Sequence, residues 1–164
     1  MKRIYLDRLE NRGGIGIYGV DAELIPAGTT LYSMSAKDKN AEYKRYADTY
    51  DLRFIFDDNI PEIDFYTVPH IDIFAQDSLG GLFGTIGQIT DMESDSPICY
   101  IDKNKNCFFV ADNLKAFLGL LPSEEDWKTH NIFNHDVTFY RSKADAARSL
   151  DFLEIPHSFE TSSR

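Results

Sequence analysis

Runs of apolar residues along the chain follow two different periods, and each period predicts one kind of secondary structure. Apolar runs of strand length fall at residues 15–20, 29–34, 53–56, 71–75, 82–88, 98–102 and 107–110. Apolar residues spaced by three or four positions predict helices at 1–11, 38–51, 112–121 and 142–153, with a further short helix opening at Ser123. A length of 164 residues fits one domain. We place that domain at residues 1–155 and expect a flexible tail at 156–164.

The two strands on either side of residues 103–106 are predicted to form a β-hairpin, since Asn and Lys suit its turn. A turn centred in this loop pairs Asp102 with Cys107 and Cys99 with Val110. Side chains alternate between the two faces of a strand, so this register places the two thiols on opposite sides of the sheet. We therefore expect two reduced cysteines, and cover for both apolar faces of the hairpin.

Tyrosines form a stripe along the helix predicted at 38–51. Tyr43, Tyr46, Ala47 and Tyr50 recur at the spacing of one helical face. Such a stripe most often packs on the core with its hydroxyls at the rim. The alternative is a ligand-stacking surface between helix and sheet.

The negative charge of the chain is concentrated in its middle third. The formal net charge is −10, and residues 46–102 hold twelve acidic residues against one basic residue, Arg53. This field repels nucleic acid, whose phosphates require Lys and Arg, and it could attract a basic protein or a cation. The alternative is that acidic loops only keep the protein soluble.

Two groups of acidic residues are the candidate partner-binding sites. The first group is Asp57, Asp58, Glu62 and Asp64, and the second is Asp91, Glu93 and Asp95. The second group alternates as calcium ligands do, but the glycine and glutamate that an EF-hand loop needs are replaced by Ser96 and Asp102. We interpret both groups as solvated carboxylates suited to protein docking.

No catalytic residue, metal site or cofactor is expected from the sequence. Ser78 lacks the G-x-S-x-G context of an activated serine. His130, His135 and Asp136 do not have the spacing of a metal site. No apolar run reaches the length of about eighteen residues that a membrane span needs, and the N-terminus lacks the apolar segment of a secretory signal. A cytoplasmic protein with no membrane partner is therefore expected.

The most specific local motif is Asp77-Ser78-Leu79-Gly80-Gly81. Its glycines could cradle a phosphate, but a phosphate loop is followed by a helix, and here a strand follows. We interpret the motif as a sharp connection between two strands, in which Asp77 accepts hydrogen bonds from amides of the turn.

The order of motifs across residues 65–121 resembles the SUKH superfamily, which includes fungal cell-wall-synthesis regulators and many bacterial toxin-immunity proteins. An apolar strand runs into an acidic, glycine-rich turn (Ile-Asp-Ile-Phe-Ala-Gln-Asp-Ser-Leu-Gly-Gly, residues 71–81). A strand pair follows, beginning after Pro97, and then a short helix over residues 112–118 with an aromatic-Leu ending.

This resemblance implies an α+β fold with a largely antiparallel sheet and helices packed around it. It implies no catalysis, and it implies a protein that binds and neutralises a bacterial toxin, for which a basic nuclease would suit the acidic charge. Two alternatives remain: a regulatory or small-ligand-binding module with a pocket near Tyr43, Tyr46 and Tyr50, and a metal-dependent hydrolase.

Overall fold

The structure, a computed structural model, describes residues 2–7, 21–87, 95–122 and 137–153. Its strands are β1 (Lys2–Asp7), β2 (Ala22–Ala27), β3 (Thr29–Leu31), β4 (Arg53–Phe54), β5 (Tyr66–Val68), β6 (Ile71–Gln76), β7 (Leu82–Ile86), β8 (Ile98–Ile101), β9 (Cys107–Ala111) and β10 (Thr138–Tyr140). Its helices are α1 (Ala41–Tyr50), α2 (Leu114–Leu120) and α3 (Lys143–Ser149), with a 3₁₀ turn at Ala36–Asp38. The strand predicted at 15–20, the helix predicted at Ser123 and the predicted tail lie outside the described residues.

The chain has the α+β fold that was expected. Among the described residues, six strands form a mixed, largely antiparallel sheet in the order β3-β6-β7-β8-β9, with β4 paired to β6 beside β3. Only the β3–β6 pairing in this sheet is parallel. Two smaller pairs stand apart from it: parallel β1–β2 and antiparallel β5–β10. In the described ranges, no helix is both long enough and apolar enough to cross a membrane.

Both faces of the main sheet are buried, as the two-sided apolar pattern of the hairpin predicts. Alternate residues of β8 belong to different core clusters: Ile98 and Tyr100 to one, Cys99 and Ile101 to the other. The first cluster is rich in aromatic rings and includes Phe117 of α2. Strand residues that alternate between two cores explain why β8 is buried along its whole length.

The helix predicted at residues 1–11 is wrong, because Lys2–Asp7 forms strand β1. It pairs in parallel with β2, and its other side is bridged to Phe152 through Tyr5. The sequence Lys-Arg-Ile-Tyr-Leu-Asp has no strong local preference that opposes a strand, so tertiary pairing decides its conformation. Strand β2 continues to Ala27, and Gly28, with φ of 112°, then leaves the extended conformation.

The hairpin forms, but its predicted register is wrong by one residue. Ile101 pairs with Cys107, and Cys99 pairs with Phe109. The loop is one residue longer than assumed, because Asp102 stays outside the ladder. Consequently both thiols lie in the same core cluster, rather than on opposite faces. Neither forms a disulfide, and both are fully buried.

The predicted helices at 38–51, 112–121 and 142–153 correspond to α1, α2 and α3. Asn113 caps α2, and its side chain accepts a hydrogen bond from the amide of Ala116. Tyr43, Tyr46 and Tyr50 are half-buried against the aromatic core cluster, as the tyrosine stripe predicts.

Candidate functional site

The first predicted acidic group lies on one continuous surface segment, residues 57–64, which we call the acidic loop. It connects β4 to β5 and follows the bridge between Phe56 and Met34. All four acidic side chains are exposed: Asp57, Asp58, Glu62 and Asp64. The segment therefore presents its carboxylates to solvent, where a partner could reach them.

The acidic loop is held in place by hydrogen bonds to its neighbours. The Asn59 side chain accepts a 2.6 Å hydrogen bond from the amide of Phe56, and the Asn59 carbonyl accepts one of 2.9 Å from Gln76 Nε2. Asp57 Oδ1 accepts a hydrogen bond of 3.0 Å from the amide of Ala36. A surface segment tied down in this way loses little conformational entropy when a partner binds.

Basic side chains compensate part of the charge of the acidic loop. Lys39 Nζ lies 2.6 Å from Asp58 Oδ2, and Lys105 Nζ lies 3.5 Å from Asp64 Oδ1. Glu62 is exposed and has no ion-pair partner in the described part of the chain. The loop is therefore less negative than the sequence alone indicates. Asp57 also has no ion pair in the described part of the chain, but it accepts the amide of Ala36, whereas Glu62 has neither an ion pair nor a hydrogen bond there.

An isoleucine stands among these carboxylates with more than half of its surface in solvent. The relative exposure of Ile60 is 52%, which is unusual for a large aliphatic side chain between Asp58 and Glu62. Protein interfaces commonly place an apolar anchor inside a polar rim. Ile60 is absent from the residues predicted from the sequence, although an isoleucine followed by proline in a polar segment without strand or helix period is a signal for it.

The second predicted acidic group is only partly described. Asp91 and Glu93 lie outside the described residues. Asp95 is exposed, and its Oδ1 accepts a 3.4 Å hydrogen bond from Asn113 Nδ2 at the start of α2. It precedes β8, whereas the Lys105 that contacts Asp64 follows β8, so Asp95 belongs to the other end of that strand.

A cleft of about 440 Å³ lies beside the acidic loop, between α1 and β4. Tyr43, Phe54 and Phe56 form its aromatic wall, and Asn59 of the acidic loop also lines it. The pocket expected near the tyrosine stripe therefore involves Tyr43 but not Tyr46 or Tyr50, which are absent from its lining.

The Asp77–Gly81 motif is a structural turn. Asp77 Oδ1 accepts hydrogen bonds from the amides of Leu79 at 2.9 Å and Gly81 at 2.7 Å, and Oδ2 accepts one of 2.6 Å from the Tyr100 hydroxyl. Burial, reinforced by the hydrogen bond to Asp77, raises the pKa of Tyr100 well above its usual range. The carboxylate is occupied on both oxygens, and a strand follows the turn, so the motif has the architecture of a strand connection.

Ser78 is held by a carboxylate, not by a histidine. Its hydroxyl donates to Asp51 Oδ2 at 2.6 Å, and its amide lies 3.0 Å from the same oxygen. Burial opposes ionisation of Asp51, but these bonds and the one from Arg53 outweigh it and lower the pKa of Asp51. A hydroxyl that donates to a carboxylate at the end of α1 lacks the base–nucleophile geometry of a serine hydrolase.

A second buried polar network joins β3 to the start of β6. His70 Nδ1 lies 2.7 Å from the carbonyl of Gly87, which can only accept, so Nδ1 carries a proton. Thr30 Oγ1 donates to Asp72 Oδ1 at 2.7 Å and lies 2.8 Å from Nε2 of His70. These contacts link buried polar side chains of β3 and β6 to the chain that follows β7.

In the ranges that the structure describes, no three His, Cys, Asp or Glu side chains gather as a metal site would require. The predicted weak candidates His130, His135 and Asp136 lie outside those ranges. Comparisons of the chain with protein-family models, with curated proteins and with solved structures gave no match.

Proposed function

We propose that this chain is a non-catalytic binding protein that docks a basic protein partner through the acidic loop, residues 57–64. The exposure of Ile60 amid four exposed carboxylates carries the proposal. Desolvating this isoleucine on a partner would supply affinity, while the surrounding carboxylates would select basic surfaces and accelerate their association.

The preorganised geometry of the loop supports the same proposal. The bonds of Asn59, Gln76 and Asp57 fix the segment that leads into Ile60. Lys39 and Lys105 restrain the carboxylates of Asp58 and Asp64, so fewer rotamers are lost on docking. Glu62, which has neither an ion pair nor a hydrogen bond in the described part of the chain, is then the carboxylate best placed to meet a basic side chain of the partner.

The resemblance of residues 65–121 to the SUKH superfamily suggests which biological role this binding serves. On that basis we propose an immunity protein that neutralises a toxin, with a basic nuclease as the favoured class. A nuclease must hold phosphates with Lys and Arg, and these same side chains would suit the acidic loop.

The test is co-expression with a candidate toxin encoded beside this protein, followed by binding kinetics on the purified pair. We expect rescue of growth and co-purification. Ile60→Ala should weaken binding about tenfold or more, mainly through faster dissociation, because a central apolar anchor is lost. Glu62→Lys should slow association and reduce its dependence on salt.

Matched controls lie elsewhere on the surface. Leu79 has a relative exposure of 68% in the turn before β7, so Leu79→Ala removes a comparable aliphatic side chain outside the acidic loop. Asp112 is exposed at the start of α2. Asp112→Lys therefore replaces a negative by a positive charge, as Glu62→Lys does, but outside the acidic loop. If the loop variants bind no worse than these controls, the assignment of the surface is wrong; if no neighbouring gene product is neutralised, the immunity proposal is wrong.

A further inference from the structure

The cleft between α1 and β4 has a charge pattern opposite to that of the acidic loop beside it. Its charged lining consists of Lys39, Lys44 and Arg53, and none of its lining residues is acidic. The middle of the chain holds one basic residue among twelve acidic ones, and that one, Arg53, lines this cleft. An acidic protein that gathers cations at one apolar cleft favours an anion there.

The wall of the cleft is aromatic and tightly arranged. The ring of Tyr43 packs edge-on against Phe54 and Phe56, with centroids 5.1 Å and 5.4 Å apart. Lys39 Nζ lies 5.3 Å from the centre of the Phe56 ring. Such a wall suits the edge or face of another aromatic ring, and the volume of about 440 Å³ falls in the range of small-molecule sites.

The cations of the cleft can accept a further anionic group. Each makes one ion pair with a carboxylate outside the lining: Lys39 with Asp58, Lys44 with Asp48 and Arg53 Nε with Asp51. An ammonium has three donors and a guanidinium has five, so one ion pair does not exhaust either group. In the described part of the chain, the hydroxyl of Tyr43 makes no hydrogen bond and offers another donor.

The first amides of α1 are already occupied. Asn40 Oδ1 accepts from the amides of Glu42 and Tyr43, at 3.0 Å and 3.1 Å. An anion in the cleft would therefore be held by side-chain cations, which makes their substitution a direct test.

From the aromatic wall, the cationic rim and the volume, we infer that this cleft binds a small aromatic anion, a ring system bearing a carboxylate or sulfonate. The ring packs against Tyr43, Phe54 and Phe56, and the anionic group lies between Lys44 and Arg53. The site adjoins the acidic loop, with which it shares Asn59 and the Lys39–Asp58 ion pair, but Lys44, Arg53 and the aromatic wall lie outside that loop.

The probe for this test is 8-anilino-1-naphthalenesulfonate, whose fluorescence rises in apolar surroundings. Its neutral counterpart, N-phenyl-1-naphthylamine, has the same ring system without the sulfonate. The folded wild-type protein should bind the sulfonate more tightly than the neutral amine. Lys44→Gln and Arg53→Gln should each weaken sulfonate binding about two- to fivefold, the size expected of one exposed ion pair, and leave binding of the amine unchanged.

Two further variants locate the probe. Ala41 lines the cleft and is exposed, so Ala41→Trp should block both probes without disturbing the core. Arg45 lies on α1 over the ring of Tyr46 and outside the cleft lining, so Arg45→Gln should leave both affinities unchanged. Circular dichroism and thermal melting check that each variant is folded.

Each outcome decides the inference. Sulfonate binding that Ala41→Trp blocks and that the two glutamine variants weaken selectively supports the site and its preference for anions. The inference is overturned if the folded wild-type protein does not bind the sulfonate, if Ala41→Trp leaves binding intact, or if Lys44→Gln and Arg53→Gln behave like Arg45→Gln.

Discussion

The hydroxyl of Tyr100 on β8 donates a 2.6 Å hydrogen bond to Asp77, and both side chains are buried. This bond ties the hairpin to the turn between β6 and β7, so the turn is fixed from outside as well as by its own amides. A buried carboxylate is tolerated when hydrogen-bond donors satisfy it. Loss of one donor leaves a buried acceptor unsatisfied and lowers the stability of the folded state.

Replacing Tyr100 by phenylalanine should therefore reduce the free energy of unfolding by about 1–3 kcal/mol, because Asp77 Oδ2 loses the phenol as a donor. Urea unfolding at neutral pH measures this loss. Tyr32 is half-buried against the same core, and its hydroxyl makes no hydrogen bond within the described residues. The control Tyr32→Phe should change the free energy by less than about 0.5 kcal/mol. Equal effects of the two variants would show that the Tyr100–Asp77 bond contributes nothing specific.

The close approach of the backbone at Gly81 to Tyr100 predicts a second effect. A Cβ at Gly81 would lie 2.1 Å from the Tyr100 hydroxyl oxygen and 2.4 Å from ring carbons, so Gly81→Ala must displace the ring. We expect a loss of about 1–3 kcal/mol in unfolding free energy, as for other overpacked sites. Gly119→Ala is the opposite case, since a Cβ there meets nothing within 4 Å in α2. It should stabilise the protein by up to about 1 kcal/mol. Thermal melts of the two variants should move in opposite directions.

Asp51 should contribute to the loss of stability in acid. Its pKa is lowered in the folded state because hydrogen bonds from Ser78 and Arg53 outweigh the effect of burial. Its contribution is therefore present above the unfolded pKa of about 3.9 and is lost as the pH falls through the lower folded pKa. Asp51 has φ of 54°, a conformation that asparagine tolerates, so Asp51→Asn is a conservative test.

Urea unfolding between about pH 5 and pH 2 should show a shallower acid dependence for Asp51→Asn than for the wild type. The control is Asp112→Asn, an exposed carboxylate without a hydrogen-bond partner in the described ranges. If the unfolding free energy of the Asp51→Asn variant depends on pH as steeply as that of the wild type, Asp51 does not contribute to the loss of stability in acid.

The two thiols should be unreactive in the folded protein. The hydrogen bond with Cys107, together with burial, raises the pKa of Cys99 well above its ordinary value, so little thiolate forms. An aromatic disulfide reagent should label neither cysteine under native conditions and both in urea. Rapid labelling of the native protein would mean that the hairpin does not bury both thiols on one face.

The sequence predicted the elements of the main sheet because their apolar runs are long and bounded by turn residues. It did not predict the hairpin register, which depends on the loop conformation. Asp102 Oδ1 accepts from the amides of Asn104 and Asn106, and Lys105 adopts φ of 62°. A side chain that closes a loop in this way changes the register by one residue without altering the apolar pattern.

The candidate site was predicted only in part for a similar reason. Charge counting along the chain identified Asp57, Asp58, Glu62 and Asp64, but the ion pairs of Lys39 and Lys105 join residues that are distant in sequence. Burial is also a property of the fold: the hydropathy of Ile60 alone favours a buried side chain, and only its polar surroundings and the following proline pointed the other way. The cations of the cleft come from α1, from the residues just before it and from β4, so their proximity depends on how α1 packs against β4.

The bridge between Tyr5 and Phe152 has a consequence for biosynthesis. The amide of Tyr5 donates to the carbonyl of Asp151, and its carbonyl accepts from the amide of Leu153, each at 2.8 Å. Nearly the whole described chain separates these partners. During translation, this edge of β1 therefore stays unpaired until residue 153 has left the ribosomal exit tunnel. The aromatic core between α1 and α2 uses residues made much earlier. Folding during translation should therefore begin at the main sheet, with the first strand synthesised among the last to be fully paired.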